Sequence, residues 1–176
     1  MKMKLLTIVF IITGSLAITS AAPMQNQDYT NNIKAAFIYN FTKYLSWAEQ
    51  DYPVFTIGVI GNSAIIPPLQ EIAQQRRVEQ KEIIIKQYQD AAHIDQCDIL
   101  FIPESGKNQL TEITARLQGK NTLLISEING ALADGVMINF LNIEETIKFE
   151  INLKAMNEMN FHPSSQLLKV AVRVIE

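Results

Sequence analysis

The chain has 176 residues, with 15 lysines and arginines against 18 aspartates and glutamates, and a single cysteine. That length suits one domain with a substantial core. A net acidic chain without a basic stripe argues against nucleic acid or an anionic membrane surface as partner, and one cysteine excludes an internal disulfide.

The N-terminus reads as an export signal. Lys2 and Lys4 precede a mostly apolar stretch from Leu5 to Ile18, and Thr19-Ser20-Ala21-Ala22 supplies small residues. The stretch is short for a membrane anchor, which takes about 20 apolar residues. Cleavage is expected after Ala21, because cleavage after Ala22 would put Pro23 beside the scissile bond. Residues 1–21 are therefore a predicted signal peptide, and their removal leaves 13 basic against 18 acidic residues. The absence of a cysteine next to the cleavage site argues against a lipid anchor. Residues 22–29 are polar and read as a flexible lead-in, and residues 30–176 as one domain.

From Thr30 or Asn31, either a suitable cap, a helix is predicted to run to about Trp47 before Asp51 and Pro53. Ile33, Ala36, Phe37, Phe41 and Tyr44 recur at spacings of three and four and form its expected buried stripe. Ile38, Tyr39 and Trp47 fall off that stripe. That second face either meets a partner or packs beneath the terminal segment. Val54–Ile60 is a continuous apolar run, as in a strand covered on both sides. A helix over 64–76, a strand over Ile83–Tyr88 and a strand over Cys97–Ile102 follow. Next come a helix through Leu110, Ile113 and Leu117, stopped by Gly119, and a strand over Thr122–Ile125. The alternation predicts an α/β fold with a mostly parallel central sheet flanked by helices. Val136–Phe140 and Thr146–Ile151 alternate apolar with polar residues and predict a late antiparallel hairpin, joined through Leu141–Glu145. The last segment fits both a helical and a strand period. Ser164 or Ser165 after Pro163 favours a helix.

Catalytic signals are missing from the sequence. His93 and His162 lie in different loops without local partners, so neither makes a metal cluster. There is no Gly-x-Ser-x-Gly elbow, and Cys97 reads as a small buried residue beside an apolar strand. Gly61, Asn62 and Ser63 follow the first strand and open a helix, where backbone amides could receive an anion. The plainer reading is a tight turn capped by Asn62 or Ser63. Glu150 and Asn152 alternate with core residues in the last strand of the hairpin. They either satisfy buried backbone groups or line a cleft.

Three sets of residues stand out in order. The first is Lys34-Ala35-Ala36-Phe37 with Asn40-Phe41 and Trp47. The second is Phe149-Glu150-Ile151-Asn152-Leu153, and the third is Leu167-Leu168. Behind a signal peptide, and with Ile57-Gly58-Val59-Ile60-Gly61, Cys97–Ile102 and Leu123–Ser126 between them, these resemble the YfiR-like family. The resemblance implies a periplasmic regulator that is not an enzyme and takes no cofactor. The implied partner is the periplasmic region of an inner-membrane diguanylate cyclase, which it would hold inactive in cyclic-di-GMP and biofilm control, or of a sensor kinase. A homodimer is implied as well. The founding member of the family uses disulfides in redox control, which Cys97 alone cannot reproduce within this chain. Tyr39, Phe41 and Trp47 are the candidate partner-binding residues. The alternative is a small-ligand module with a cleft at the carboxyl ends of the parallel strands, where Gly61, Asn62, Ser63, Ser126 and Asn152 are the candidates.

Overall fold

The structure, a computed structural model, describes residues 24–46 and 52–176. The proposed signal peptide and Trp47 lie outside the described residues. In chain order the helices are α1 (Met24–Tyr44), α2 (Ile66–Gln75), α3 (Leu110–Leu117), α4 (Leu153–Glu158) and α5 (Ser165–Val170). The strands are β1 (Leu45–Ser46), β2 (Val54–Ile60), β3 (Arg77–Val78), β4 (Lys81–Tyr88), β5 (Ile99–Ile102), β6 (Leu123–Ser126), β7 (Ile138–Ile143), β8 (Thr146–Asn152), β9 (His162–Pro163) and β10 (Arg173–Ile175).

Eight strands make one mixed sheet in the order β10-β8-β7-β6-β5-β2-β4-β3. Strands β4, β2, β5, β6 and β7 run parallel, in the 2-1-3-4-5 order of a doubly wound domain. The expected α/β sheet and its late antiparallel hairpin β7–β8 are both present. Side chains alternate between two cores. Phe55, Ile57, Val59, Phe101, Ile125, Phe140 and Phe149 face α1, α2 and α5. Ile60, Leu100, Ile102, Leu124 and Tyr88 face α3 and the short helical turns.

Helix α1 begins at Met24, ahead of the expected cap at Thr30. Thr30 Oγ1 donates to Gln27 O at 2.9 Å, so Thr30 belongs to a helical turn instead of starting one. The buried stripe is also rotated. Ala35, Ile38, Phe41 and Leu45 are buried, whereas Ala36 and Tyr44 are exposed. The cause is that α1 packs between α2 and α5 on the sheet, which gives it apolar neighbours on more than one side. At the start of α2 neither Asn62 nor Ser63 serves as the cap. Ile65 occupies that position, and Pro67 and Pro68 in the first turn remove donors that a side-chain cap would accept.

Two hairpins turn through non-glycine residues with positive φ. Glu79 and Gln80 (φ 47° and 71°) join β3 to β4, a strand pair the polar sequence there does not announce. Glu144 and Glu145 (φ 48° and 61°) join β7 to β8, so the connection is two residues and the strands extend to Ile143 and Thr146. Positive φ at both central positions is the type I′ pattern, which matches strand twist and favours Asn-Gly. The tail splits where its two periods competed. Ser164 Oγ accepts from Leu167 N at 3.3 Å and starts α5, and β10 then pairs parallel to β8.

Two adjacent glutamates in left-handed backbone carry both a steric and a charge penalty. Glu144→Asn combined with Glu145→Gly is expected to raise stability by about 1 kcal/mol. Urea unfolding of the two chains measures it, and an unchanged or lower midpoint would contradict the turn geometry.

Candidate functional site

A mostly apolar groove lies between α1 and α5. Phe37, Asn40 and Tyr44 form one wall at helical spacing, Gln166, Leu167 and Val170 form the other, and Phe41 and Phe149 lie at the floor. Its volume is ≈ 190 Å³. Phe41 is 1% exposed and Phe149 2%, while Tyr44 and Val170 at the rim are 40% and 63% exposed. The floor is fixed by ring packing. Phe41 meets Phe149 edge-on at 5.1 Å between centroids, and Phe37 meets it at 5.5 Å.

Both walls are pinned. β1 pairs with β9 through Leu45↔Pro163 and Ser46↔His162, which ties the end of α1 to the segment that opens α5. Ser164 N donates to Tyr44 O at 2.8 Å at the same junction, and Val172 N donates to Phe149 O at 3.0 Å beyond α5. The groove is therefore built into the fold.

Of the three candidate partner residues, Phe41 is floor and core, not outer surface. Tyr39 is half-buried, with its hydroxyl 3.4 Å from Arg77 O in β3, and belongs to the joint between α1 and the opposite sheet edge. Sequence reasoning missed Tyr44 and Val170. Tyr44 falls on the stripe whose spacing predicts burial, and Val170 falls in a tail that fits two periods.

Of the candidates for a ligand cleft, Gly61, Asn62, Ser63 and Ser126 lie at the carboxyl ends of parallel strands, whereas Asn152 ends β8, which runs antiparallel, and so lies beside Met137 at the amino end of β7, away from that edge. Gly61 (φ +66°) is half-buried, and its N–H donates to Tyr88 O at 2.7 Å. Asn62 is exposed, and Ser63 Oγ accepts from Ile65 N at 3.4 Å. Ser126 is fully buried, and its Oγ accepts from Ile128 N at 2.9 Å. Asn152 caps α4 by accepting from Ala155 N at 2.9 Å, and its Nδ2 donates to Leu132 O at 2.9 Å. This is the backbone-satisfying role left open for it. At the switch point between β2 and β5, the helical turn Glu104–Gln109 packs over the strand ends. A Cβ on Gly106 would stand 3.0 Å from Ile102 Cγ2 and 3.4 Å from Ile60 Cγ2. Lys34 Nζ reaches Glu127 Oε2 at 2.5 Å beside it, and Glu127 Oε1 accepts from Glu104 N at 3.3 Å. The crevice is filled at that point.

Among the described residues, no group of three His, Cys, Asp or Glu side chains is placed to hold a metal ion, and no helix is long and apolar enough to cross a membrane. Cys97 is buried, as its apolar setting suggested. Burial pushes its thiol up to about 12, with the charges of Asp98 and Asp95 adding to the effect. Tyr88 beside it is raised by burial and by its hydrogen bond to Asp95. Asp95 is held below the usual carboxylate range by Tyr88 and then Lys86.

The three sequence segments each contribute to the groove, Phe37, Asn40 and Phe41 from the first, Phe149 from the second and Leu167 from the third, and the fold brings them into contact. The profile of the YfiR/HmsC-like family matches residues 31–172, a span that contains all three segments. The chain belongs to the YfiR/HmsC-like family. The family is regulatory and non-catalytic, and periplasmic. No match was found among curated proteins. Among solved structures, the chain is similar to a conserved domain protein from Vibrio cholerae O1 biovar El Tor. The TM-score is 0.60 at 9% identity, and the match covers 82% of this chain and 60% of that one. At that identity the likeness is of fold alone, and this chain corresponds to only part of the larger protein.

In this family member a thiol held at about 12 is inert at neutral pH. Ellman's reagent is expected to find no thiol in the native protein and one after denaturation. Because the native pKa is raised, the stability that Cys97 contributes is complete below the unfolded value of about 8.5 and is lost as pH climbs toward the native value. The difference in stability between wild type and Cys97→Ala, measured from pH 7 to 10.5, should shrink above that lower limit. Ready labelling of the native thiol would contradict its burial.

Proposed function

We propose that this protein binds the periplasmic region of an inner-membrane signalling protein, most plainly a diguanylate cyclase, and holds it inactive. The observation that carries the reading is the pinned apolar groove between α1 and α5, whose floor is Phe41 and Phe149 and whose rim exposes Tyr44 and Val170. Contiguous exposed apolar surface on a folded domain marks an interaction site, and concave apolar grooves accept protruding side chains. Family membership supports a regulatory role carried out by binding. Inhibition needs no chemistry: a binder with higher affinity for the silent receptor state shifts the receptor population toward it.

The rim supplies the variants for a test. Tyr44→Ala and Val170→Ser remove exposed apolar surface, and each should change stability by no more than about 1 kcal/mol. Phe41→Ala is unsuitable as an interface probe, because emptying a core position of that size costs roughly 3–5 kcal/mol. With the mature chain as bait on detergent-solubilised envelope, wild type should recover a membrane cyclase or sensor kinase. The Tyr44→Ala/Val170→Ser double variant should lose it while melting normally. Deleting the gene should raise cellular cyclic-di-GMP, and expression of the wild type, but not the double variant, should restore it. Unchanged cyclic-di-GMP on deletion would remove the cyclase as partner, and equal recovery by both baits would remove the groove as its surface.

A further inference from the structure

The two helical walls of the groove differ in charge from the chain as a whole. Among all 21 residues of α1 the one acid is Asp28, and α5 has none. Asp28 lies twelve positions before Asn40, or about 18 Å along the helix. Lys43 stands in the last turn of α1 and Lys169 in the last turn of α5, both exposed. Lys43 Nζ contacts Asn40 Oδ1 at 3.2 Å and lies 4.5 Å from the Tyr39 ring centroid. Neither lysine meets a carboxylate within ion-pair distance among the described residues. A net acidic protein thus walls its apolar groove with two helices that bear no acid beside it, with Lys43 on the groove residue Asn40 and Lys169 next to Val170 in sequence.

The shape narrows the occupant further. The α1 wall from Phe37 to Tyr44 spans seven positions, about 10 Å. A volume of ≈ 190 Å³ exceeds the roughly 150 Å³ of a cavity that accepts benzene, so one large apolar side chain fits. Two helices as walls and a floor of aromatic edges suit a third helix laid across them. A flat anionic bilayer meets a convex surface better than a recess.

Building on the regulator reading, we infer that the groove takes an amphipathic helix of the partner protein, with one large apolar anchor flanked by carboxylates that face Lys43 and Lys169. The anchor supplies most of the affinity from the desolvated centre. The carboxylates at the rim raise the association rate and reject partners with basic flanks.

The test uses the full mature chain expressed in cells, with p-benzoylphenylalanine placed in turn at positions 166, 170 and 29. Positions 166 and 170 lie in the groove and position 29 outside it. Light should join the groove positions, and not position 29, to one peptide of the membrane partner that contains acids around a large apolar residue. Lys43→Glu with Lys169→Glu should weaken binding of that partner's purified periplasmic region about tenfold at low salt, with the gap closing toward 1 M salt as charges are screened. A crosslink to a second copy of this chain, or flotation of the protein with anionic vesicles through the groove, would overturn the inference. So would a crosslinked partner peptide without acids, or a charge reversal with no salt-dependent effect, but both would leave the regulator reading intact. Failure to join any membrane protein from any position would remove both.

Discussion

Phe37 and Phe41 of α1 lie against Phe140 and Phe149 of the β7–β8 hairpin, with ring centroids between 5.1 and 6.1 Å apart. Each such side chain contributes roughly 1.5–3 kcal/mol by leaving water, and aromatic pairs in edge-on or offset geometry add about 0.5–1.5 kcal/mol. This cluster joins the first helix of the domain to its last hairpin. It sets where α1 crosses the sheet, and through Phe149 it supplies the floor on which α5 closes. Phe101 on β5 meets Phe140 at 6.4 Å and extends the cluster toward the parallel strands.

On the opposite face of the sheet a polar row runs across four neighbouring strands. Ser126, Asn139, Glu150 and Arg173 are successive register partners on β6, β7, β8 and β10. Arg173 donates to the Glu150 carboxylate through Nε at 2.8 Å and through Nη2, and Asn139 Nδ2 donates to its other oxygen at 3.1 Å. Glu150 is 2% exposed, so its charge is tolerated because it is paired and hydrogen-bonded. The same pair fixes the register of β10. With Val172 N on Phe149 O and Ser164 N on Tyr44 O, it holds the terminal segment so that α5 forms a stable wall. The edge strand β10 thus carries an exposed charged side chain, one of the ways edges resist further pairing.

The parallel strands, α2, α3 and the late hairpin were legible because their apolar residues follow one period each. Three features were not. The buried side of α1 could not be read, since neighbours on more than one side put Ile38 in the core and Tyr44 at a rim. The tail satisfied two periods at once because it is two elements: Leu167 packs inward from α5, while Val174 and Ile175 lie on opposite faces of a strand. The β3–β4 turn had no signal, because Glu79 and Gln80 adopt left-handed backbone that their side chains do not favour. The groove was half legible. Phe41 and Phe149 stood out as parts of motifs, but their contact across the sequence, and the rim residues beside it, required the fold.

The motifs at the two ends of the sequence cooperate as one aromatic cluster that builds the groove between α1 and α5. A double-mutant cycle of Phe41→Leu and Phe149→Leu, followed by urea unfolding, tests this most directly, because leucine keeps each site apolar while removing ring geometry. A coupling of about 0.5–1.5 kcal/mol between the two positions is expected. Strict additivity, with each substitution costing the same whether or not the other ring is present, would contradict it.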